Sequence, residues 1–283
     1  MGARLACQGT TDHDPLPFKD SGEYMINPTC VLITGASGGI GAALARVYAR
    51  PGVTLALTGR NVERLGKTAE TAASAGAAVM ARALDLHDEH AVAAWIAEVD
   101  AAQPLDLAIA NAGITGGHRG AGAEENLAEL REIMAINFIA ACATAHAAMA
   151  PMRRRRRGQI ALMSSLAGLR GLPYSPGYCA SKAALIAYGD ALRAMLRADG
   201  VGVSVILPGF VATPMSERVS GPKPLMMDAD RAARIVAHGL ARGRTRIAFP
   251  LRLYWLQQLS SLLPAAPVDL VLNRVRVTVA NDH

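Results

Sequence analysis

The chain has 283 residues, 51% of them hydrophobic, and carries a formal net charge of +6. That length admits one large α/β domain or two small ones, and the apolar share excludes a largely disordered protein. The charge is modest and concentrated in the arginine run 153–157, which is expected to cap a helix end in water, so no nucleic-acid partner is expected.

Residues 1–26 mix Pro, Asp, Gly and Thr and hold no apolar run fit for a signal peptide; they read as a disordered leader, with Met25 an alternative start. Cys7, Cys30, Cys142 and Cys179 form no CxxC or Cys/His cluster, so free thiols in a reducing compartment are expected and a metal site is not. No uninterrupted apolar run reaches the roughly 20 residues of a spanning helix. A cytoplasmic protein is the expectation.

From residue 27 strands and helices alternate. Residues 29–34, Thr-Cys-Val-Leu-Ile-Thr, form a short apolar, β-branched run of the kind buried in parallel sheets. Gly35-Ala-Ser-Gly-Gly-Ile-Gly41 follows and leads into a helix over 39–50. A strand over 53–58 runs to Gly59-Arg60-Asn61 and a polar helix to 75. The strand 78–84 ends at Asp85-Leu86, and helix 88–102 leads to strand 105–110 and Asn111-Ala112-Gly113. A helix over 124–150 precedes strand 159–164, and a strand over 201–207 runs into Pro208-Gly209. This alternation predicts a single-domain, doubly wound α/β fold of Rossmann type, its parallel sheet joined by right-handed crossovers and covered by helices on both faces.

Glycines between a strand and a helix N-terminus permit a tight turn and let the backbone approach a pyrophosphate, which the helix end attracts. The spacing Gly35-x3-Gly39-x-Gly41 departs from the GxGxxG form. Gly35-Ala36-Ser37-Gly38-Gly39 also fits GxSxG, the nucleophile elbow of α/β-hydrolases, which leaves a serine hydrolase using Ser37 open. Such an enzyme needs a later histidine, and the obvious one, His238, falls inside an apparent helix over 228–242. Past the second strand, Arg60 stands where a carboxylate would bond a ribose 2′-hydroxyl and an arginine would accommodate a 2′-phosphate. With no carboxylate in Thr58-Gly59-Arg60, charge favours the phosphorylated dinucleotide; a solvated loop cation is the alternative.

Tyr178 and Lys182 are four residues apart, so in a helix they share a face one turn apart. A phenol has an ordinary pKa of about 10, and a neighbouring ammonium draws it toward working pH, which makes a usable acid.

Thr34-Gly-Ala-Ser-Gly-Gly-Ile-Gly41, Asp85, Asn111-Ala-Gly113, Asn137, Ser165, Tyr178-x3-Lys182 and Pro208-Gly209-x3-Thr213 follow one another in the order of the short-chain dehydrogenase/reductase family, which the chain resembles over residues 27–247. The resemblance implies a hydride transfer between a nicotinamide cofactor and a carbonyl/alcohol pair. Asn137 would help hold a proton-relay water, Ser165, thirteen residues before Tyr178, would polarise the carbonyl, and Tyr178 would be the acid/base. Lys182 would bind the nicotinamide ribose and lower the tyrosine pKa. Cofactor contacts would come from Gly35, Ser37, Gly39, Ile40 and Gly41, from Arg60, from Asp85 and Leu86 around the adenine, and from Asn111, Ala112 and Gly113. Pro208, Gly209, Val211 and Thr213, the last holding the carboxamide, would complete the set; Thr213 before Pro214 also suits a helix cap. NADP(H) is the expected cofactor, with NAD(H) left open, since the glycine loop lacks the basic residue many NADP-preferring members carry. A homodimer or homotetramer is expected, and a catalytically silent dinucleotide-binding sensor on the same fold is a third alternative.

Residues 27–248 thus read as the catalytic domain and 249–283 as an amphipathic extension. Its stretch 251–263 is expected to pack on its own domain, with a lid, an oligomer contact or a peripheral membrane helix as alternatives. Leu166, Leu169, Leu172, Pro173, Phe210, Met215, Leu225, Met226 and Met227 are expected to wall the substrate pocket, which points to a lipophilic ketone or alcohol.

Overall fold

All five residues of β1 (Cys30–Thr34) are buried, as a strand covered on both faces requires. In the computed structural model, which describes residues 27–117, 125–272, 274 and 277–280, β1 lies near the middle of a seven-stranded parallel sheet. The leader read into residues 1–26 lies outside the described residues. After β1 come α1 (Gly39–Tyr48), β2 (Thr54–Gly59), α2 (Val62–Ser74), β3 (Ala78–Ala83), α3 (Glu89–Ala102) and β4 (Leu107–Ala110). The chain continues with α4 (Leu127–Met134), a π-helical turn (Ala135–Ile139), α5 (Ala140–Arg155), β5 (Gly158–Met163), α6 (Pro176–Leu196) and β6 (Val201–Pro208). It ends with β7 (Val211–Ala212), α7 (Pro214–Glu217), β8 (Met227–Asp228), α8 (Ala229–Ala241), β9 (Arg246–Phe249), α9 (Leu251–Ser260) and α10 (Ala265–Leu272).

The sheet order is β3-β2-β1-β4-β5-β6-β9, with β7 and β8 paired separately. Side chains alternate along a strand, so β1 serves both faces. Val31 and Ile33 pack with Leu44 and Tyr48 of α1 and Val236 and Leu240 of α8. Cys30 and Leu32 pack on the other side with Trp95 and Val99 of α3 and Ala145 and Met152 of α5. The doubly wound architecture expected from the alternation is the one adopted. Its strand order reverses between β1 and β4, and at such a point the carboxyl ends of the strands diverge to leave a crevice.

Three features depart from the sequence reading. The strand β9 was not anticipated; only Ile247 and Phe249 of its four residues are buried, too few to give a period. The helix expected over 124–150 runs from Leu127 to Arg155 through the π turn. By length and composition this helix could cross a bilayer, but Ala141, Ala145, Ala148 and Met152 are buried in the core. The arginine run at its end is engaged in ion pairs as well as exposed to water: Arg153 with Asp199 (2.7 Å), Arg155 with Asp100 (2.7 Å) and Arg157 with the buried Asp106 (3.3 Å). It thereby ties the end of α5 to α3 and to the residues before β4.

Candidate functional site

A cleft of about 970 Å³ opens over the β1–β4 switch point. One wall is the turn between β1 and α1. Gly35 has φ +69°, and a Cβ there would lie 2.8 Å from the Cα of Ala112; only glycine meets both demands. At Gly41 a side chain would strike the Gly35 carbonyl and the Asn111 amide, so this glycine does not line the cleft but lets α1 start close against the loop. Asn111 locks the arrangement: its Nδ2 donates to Thr34 O (2.9 Å), while Thr34 Oγ1 accepts from the backbone N–H groups of Asn111 (3.0 Å) and Ala112 (3.1 Å). Backbone from Gly35, Ser37, Gly39 and Ile40 is left facing the cleft at the N-terminus of α1, a natural anion site.

Across the cleft, α6 begins at Pro176, whose fixed φ and missing N–H suit a first helical turn. Tyr178 and Lys182 follow on its cleft-facing side. Ser165, extended at the end of β5, accepts from Ala167 N (3.1 Å) and donates to Pro208 O (3.3 Å), and it acts to lower the pKa of the Tyr178 phenol. The adjacent Ser164 donates instead to the carbonyl of Lys182 (2.7 Å) and fastens α6 to β5. Lys182 Nζ donates to Met163 O (2.9 Å) and lies 5.6 Å from the centroid of the Tyr178 ring.

Burial governs both ionisable groups. It pushes the Tyr178 phenol up to about 12, with the Ser165 hydrogen bond acting downward, and draws Lys182 down to about 8. In the chain alone, burial outweighs the downward influences on the phenol, so the depressed tyrosine pKa that the resemblance implies is not seen without the cofactor. The phenol stays protonated through neutral pH, as a proton donor must.

Asn137 does not line the cleft. It is fully buried in the π turn, where its Oδ1 accepts from Ile114 N (2.7 Å) and its Nδ2 donates to Ile114 O (3.0 Å) and Ser181 Oγ (3.1 Å). It holds the strand-end segment Asn111–Ile114 against α6. Asn137→Leu is expected to strand these groups and cost at least about 2 kcal/mol, read as a melting-temperature drop of several degrees by calorimetry.

Of the other sequence candidates, Leu86, Ala112, Gly113, Pro208, Gly209, Val211 and Thr213 line the cleft. Thr213 also caps α7 through a reciprocal capping box with Ser216, so its cap and its place in the cleft coexist. Asp85 is exposed outside the lining and accepts from His87 N (3.0 Å). Arg60 lines one end, joined there by Arg64 and Arg218, which the sequence reading missed; Arg64 is signalled only by its one-turn spacing from Arg60. Burial and the charge of Arg60 both lower the pKa of Arg218. Leu166, Leu172, Phe210 and Met215 wall the pocket as expected, whereas Leu169, Pro173, Leu225, Met226 and Met227 lie elsewhere. Tyr174, Leu253, Gln257 and Val279 take part instead. Val279 arrives by an antiparallel bridge to Val219, flanked by Ser220 N donating to Thr278 O (2.8 Å) and Ala280 N donating to Arg218 O (2.9 Å). No histidine is among the described residues lining the cleft, and His238 lies in α8.

A family model for short chain dehydrogenases matches residues 29–223. The chain is similar to an uncharacterized oxidoreductase of Myxococcus xanthus, 36% identical over 251 residues that cover 87% of this chain and 96% of that protein. It is also similar to the ketoacyl reductase HetN of Nostoc sp., 35% identical over 197 residues, or 68% of each chain. Among solved structures, a short-chain dehydrogenase from Sphingobium yanoikuyae in complex with NADPH superposes with a TM-score of 0.71 at 27% identity, covering 84% of this chain and 97% of that one.

Proposed function

Since the chain belongs to the short-chain dehydrogenase/reductase family, we propose that it moves a hydride between NADP(H) and a lipophilic carbonyl/alcohol pair. The observation that carries this reading is that Ser165, Tyr178 and the buried Lys182 line one cleft, the last two one helical turn apart, across from the glycine turn. The residues present suit the cofactor: at the N-terminus of α1 a Cβ on the cleft-lining Gly38 would meet nothing within 4 Å, which leaves open space for a pyrophosphate, and Arg60 with Arg64 offers positive charge to a 2′-phosphate. Lys182 and Thr213 would hold the nicotinamide end. A reduced nicotinamide bound there would supply the hydride.

The chain's own residues handle the oxygen. As negative charge grows on the substrate carbonyl, Tyr178 gives up its proton and Ser165 donates a second hydrogen bond. The ammonium of Lys182 stabilises the phenolate left behind, and the surrounding wall of Leu166, Leu172, Phe210 and Met215 keeps water out and favours an apolar substrate. That HetN is named a ketoacyl reductase supports a carbonyl group as the reacting centre. The same reading carries a homodimeric or homotetrameric assembly in the cytoplasm. A panel of apolar ketones and alcohols, followed by nicotinamide absorbance, tests it; NADPH binding without turnover on any member would make the chain a sensor instead.

The choice of cofactor has its own test. Arg60→Ala is expected to weaken NADPH binding about tenfold or more, the scale of a lost charge-assisted contact, and to leave NADH binding within about twofold. Titration calorimetry with both cofactors reads this directly. Equal losses, or a wild type preferring NADH, would sink the 2′-phosphate assignment.

A further inference from the structure

Helix α9 turns an apolar stripe to water. Leu253 and Tyr254 face inward onto Leu166, Val205 and Leu207, and Gln257 joins Leu253 in the cleft wall. The opposite stripe, Arg252, Trp255, Leu256 and Leu259, has the spacing of one helical face, and its three apolar members are 59%, 63% and 61% exposed. A surface helix ordinarily places its apolar stripe against the core; here apolar side chains stand on the outer side as well. Beyond α9 the pattern continues: Leu262 and Leu263 are 81% and 55% exposed, and no residue of α10 is buried. An apolar surface of this extent marks a place of interaction.

We propose that this face docks on a bilayer surface rich in anionic headgroups. Charge separates that partner from a second copy of the chain. Asp269 is the sole carboxylate on α9 and α10, and it already faces Arg170 at 3.7 Å. Arg252 and Arg274 are exposed and form no ion pair among the described residues. Two copies meeting by a two-fold contact would set these cations against one another with only Asp269, already facing Arg170, to pair them, whereas lipid phosphates supply the counter-charge. An exposed tryptophan suits the headgroup zone. Helices of 10 and 8 residues are too short to span, so they lie on the surface. Because the inner side of α9 also lines the cleft, docking brings the cleft rim to the bilayer.

Co-sedimentation of the full chain with phosphatidylcholine vesicles, with and without phosphatidylglycerol, tests the proposal. The wild type is expected to pellet with the anionic vesicles. Arg252→Gln should weaken that binding about fivefold, the share of one surface cation. Trp255→Ser, Leu256→Ser and Leu259→Ser combined should weaken it more than about tenfold, while melting temperature and NADPH binding stay unchanged. Absence of pelleting, equal pelleting of wild type and variants, or a triple variant that instead dissociates a dimer in size-exclusion chromatography would each overturn it. Hydride transfer is read separately, by turnover of a water-soluble ketone, so failure of one claim leaves the other standing.

Discussion

Tyr178→Phe is expected to lower turnover by at least about a hundredfold, within the range that a positioned acid supplies, with NADPH affinity and melting temperature near wild type. The substitution removes one oxygen and little volume. Ser165 keeps its bonds to Ala167 N and Pro208 O, so no buried hydroxyl is left without a partner. The cofactor contacts expected of the glycine turn and Arg60 are remote from the phenol. An interaction needed only as charge develops should depress kcat and kcat/KM together. Steady-state kinetics beside direct NADPH binding makes the comparison, and retention of most activity would mean that another group protonates the substrate.

Lys182→Met should separate activity from stability. Loss of the cation beside the phenol is expected to cost at least about a hundredfold in turnover, the scale of one removed electrostatic stabiliser, and to weaken NADPH binding. Yet the folded protein should become more stable. The lysine pKa falls from 10.5 in its ordinary state to about 8 in the fold, so below pH 8 the native state carries a buried charge that the unfolded chain solvates. That shift corresponds to about 3 kcal/mol; losing the bond to Met163 O returns about 1 kcal/mol, which leaves a gain of a few degrees in melting temperature. The sign has a pH signature. Between 8 and 10.5 the folded lysine sheds its proton while the unfolded one retains it, so wild-type stability recovers toward that of the variant. A melting-temperature advantage that is absent at pH 7, or constant from pH 7 to 10.5, would show that the ammonium is not held at a cost.

Much of this was legible in the residues because local physics dictates it. An apolar five-residue strand, glycines where a Cβ would collide with neighbouring backbone, and a tyrosine and lysine one helical turn apart each carry their consequence in a short window. Features set by distant segments were not. Asn137 was legible as a polar residue in a helix, but its use as a clamp on Ile114 depends on a strand end 23 positions away and on the π turn that aims it. The arginine run read as solvated because Asp100, Asp106 and Asp199 reach it from three different parts of the chain. Leu225 and Met226 read as pocket residues by composition, yet they are 50% and 51% exposed, while Val279 enters from the far end of the sequence. The upward shift of the tyrosine in the chain alone was hidden for a related reason: charge proximity can be read from spacing, whereas burial cannot.

The bridge that brings Val279 to the cleft also closes a loop. Ser220 and Thr278, 58 positions apart, bond through both backbone and side chains, and between them lie α8, β9, α9 and α10. Fraying of the far end of the chain and loosening of the segment after α7 are therefore one cooperative opening and not two. The amides of Ser220 and Ala280 should exchange deuterium at matched rates, and a protease cut between α9 and α10 should speed both. Either amide then serves as a gauge of how often the cleft wall comes apart.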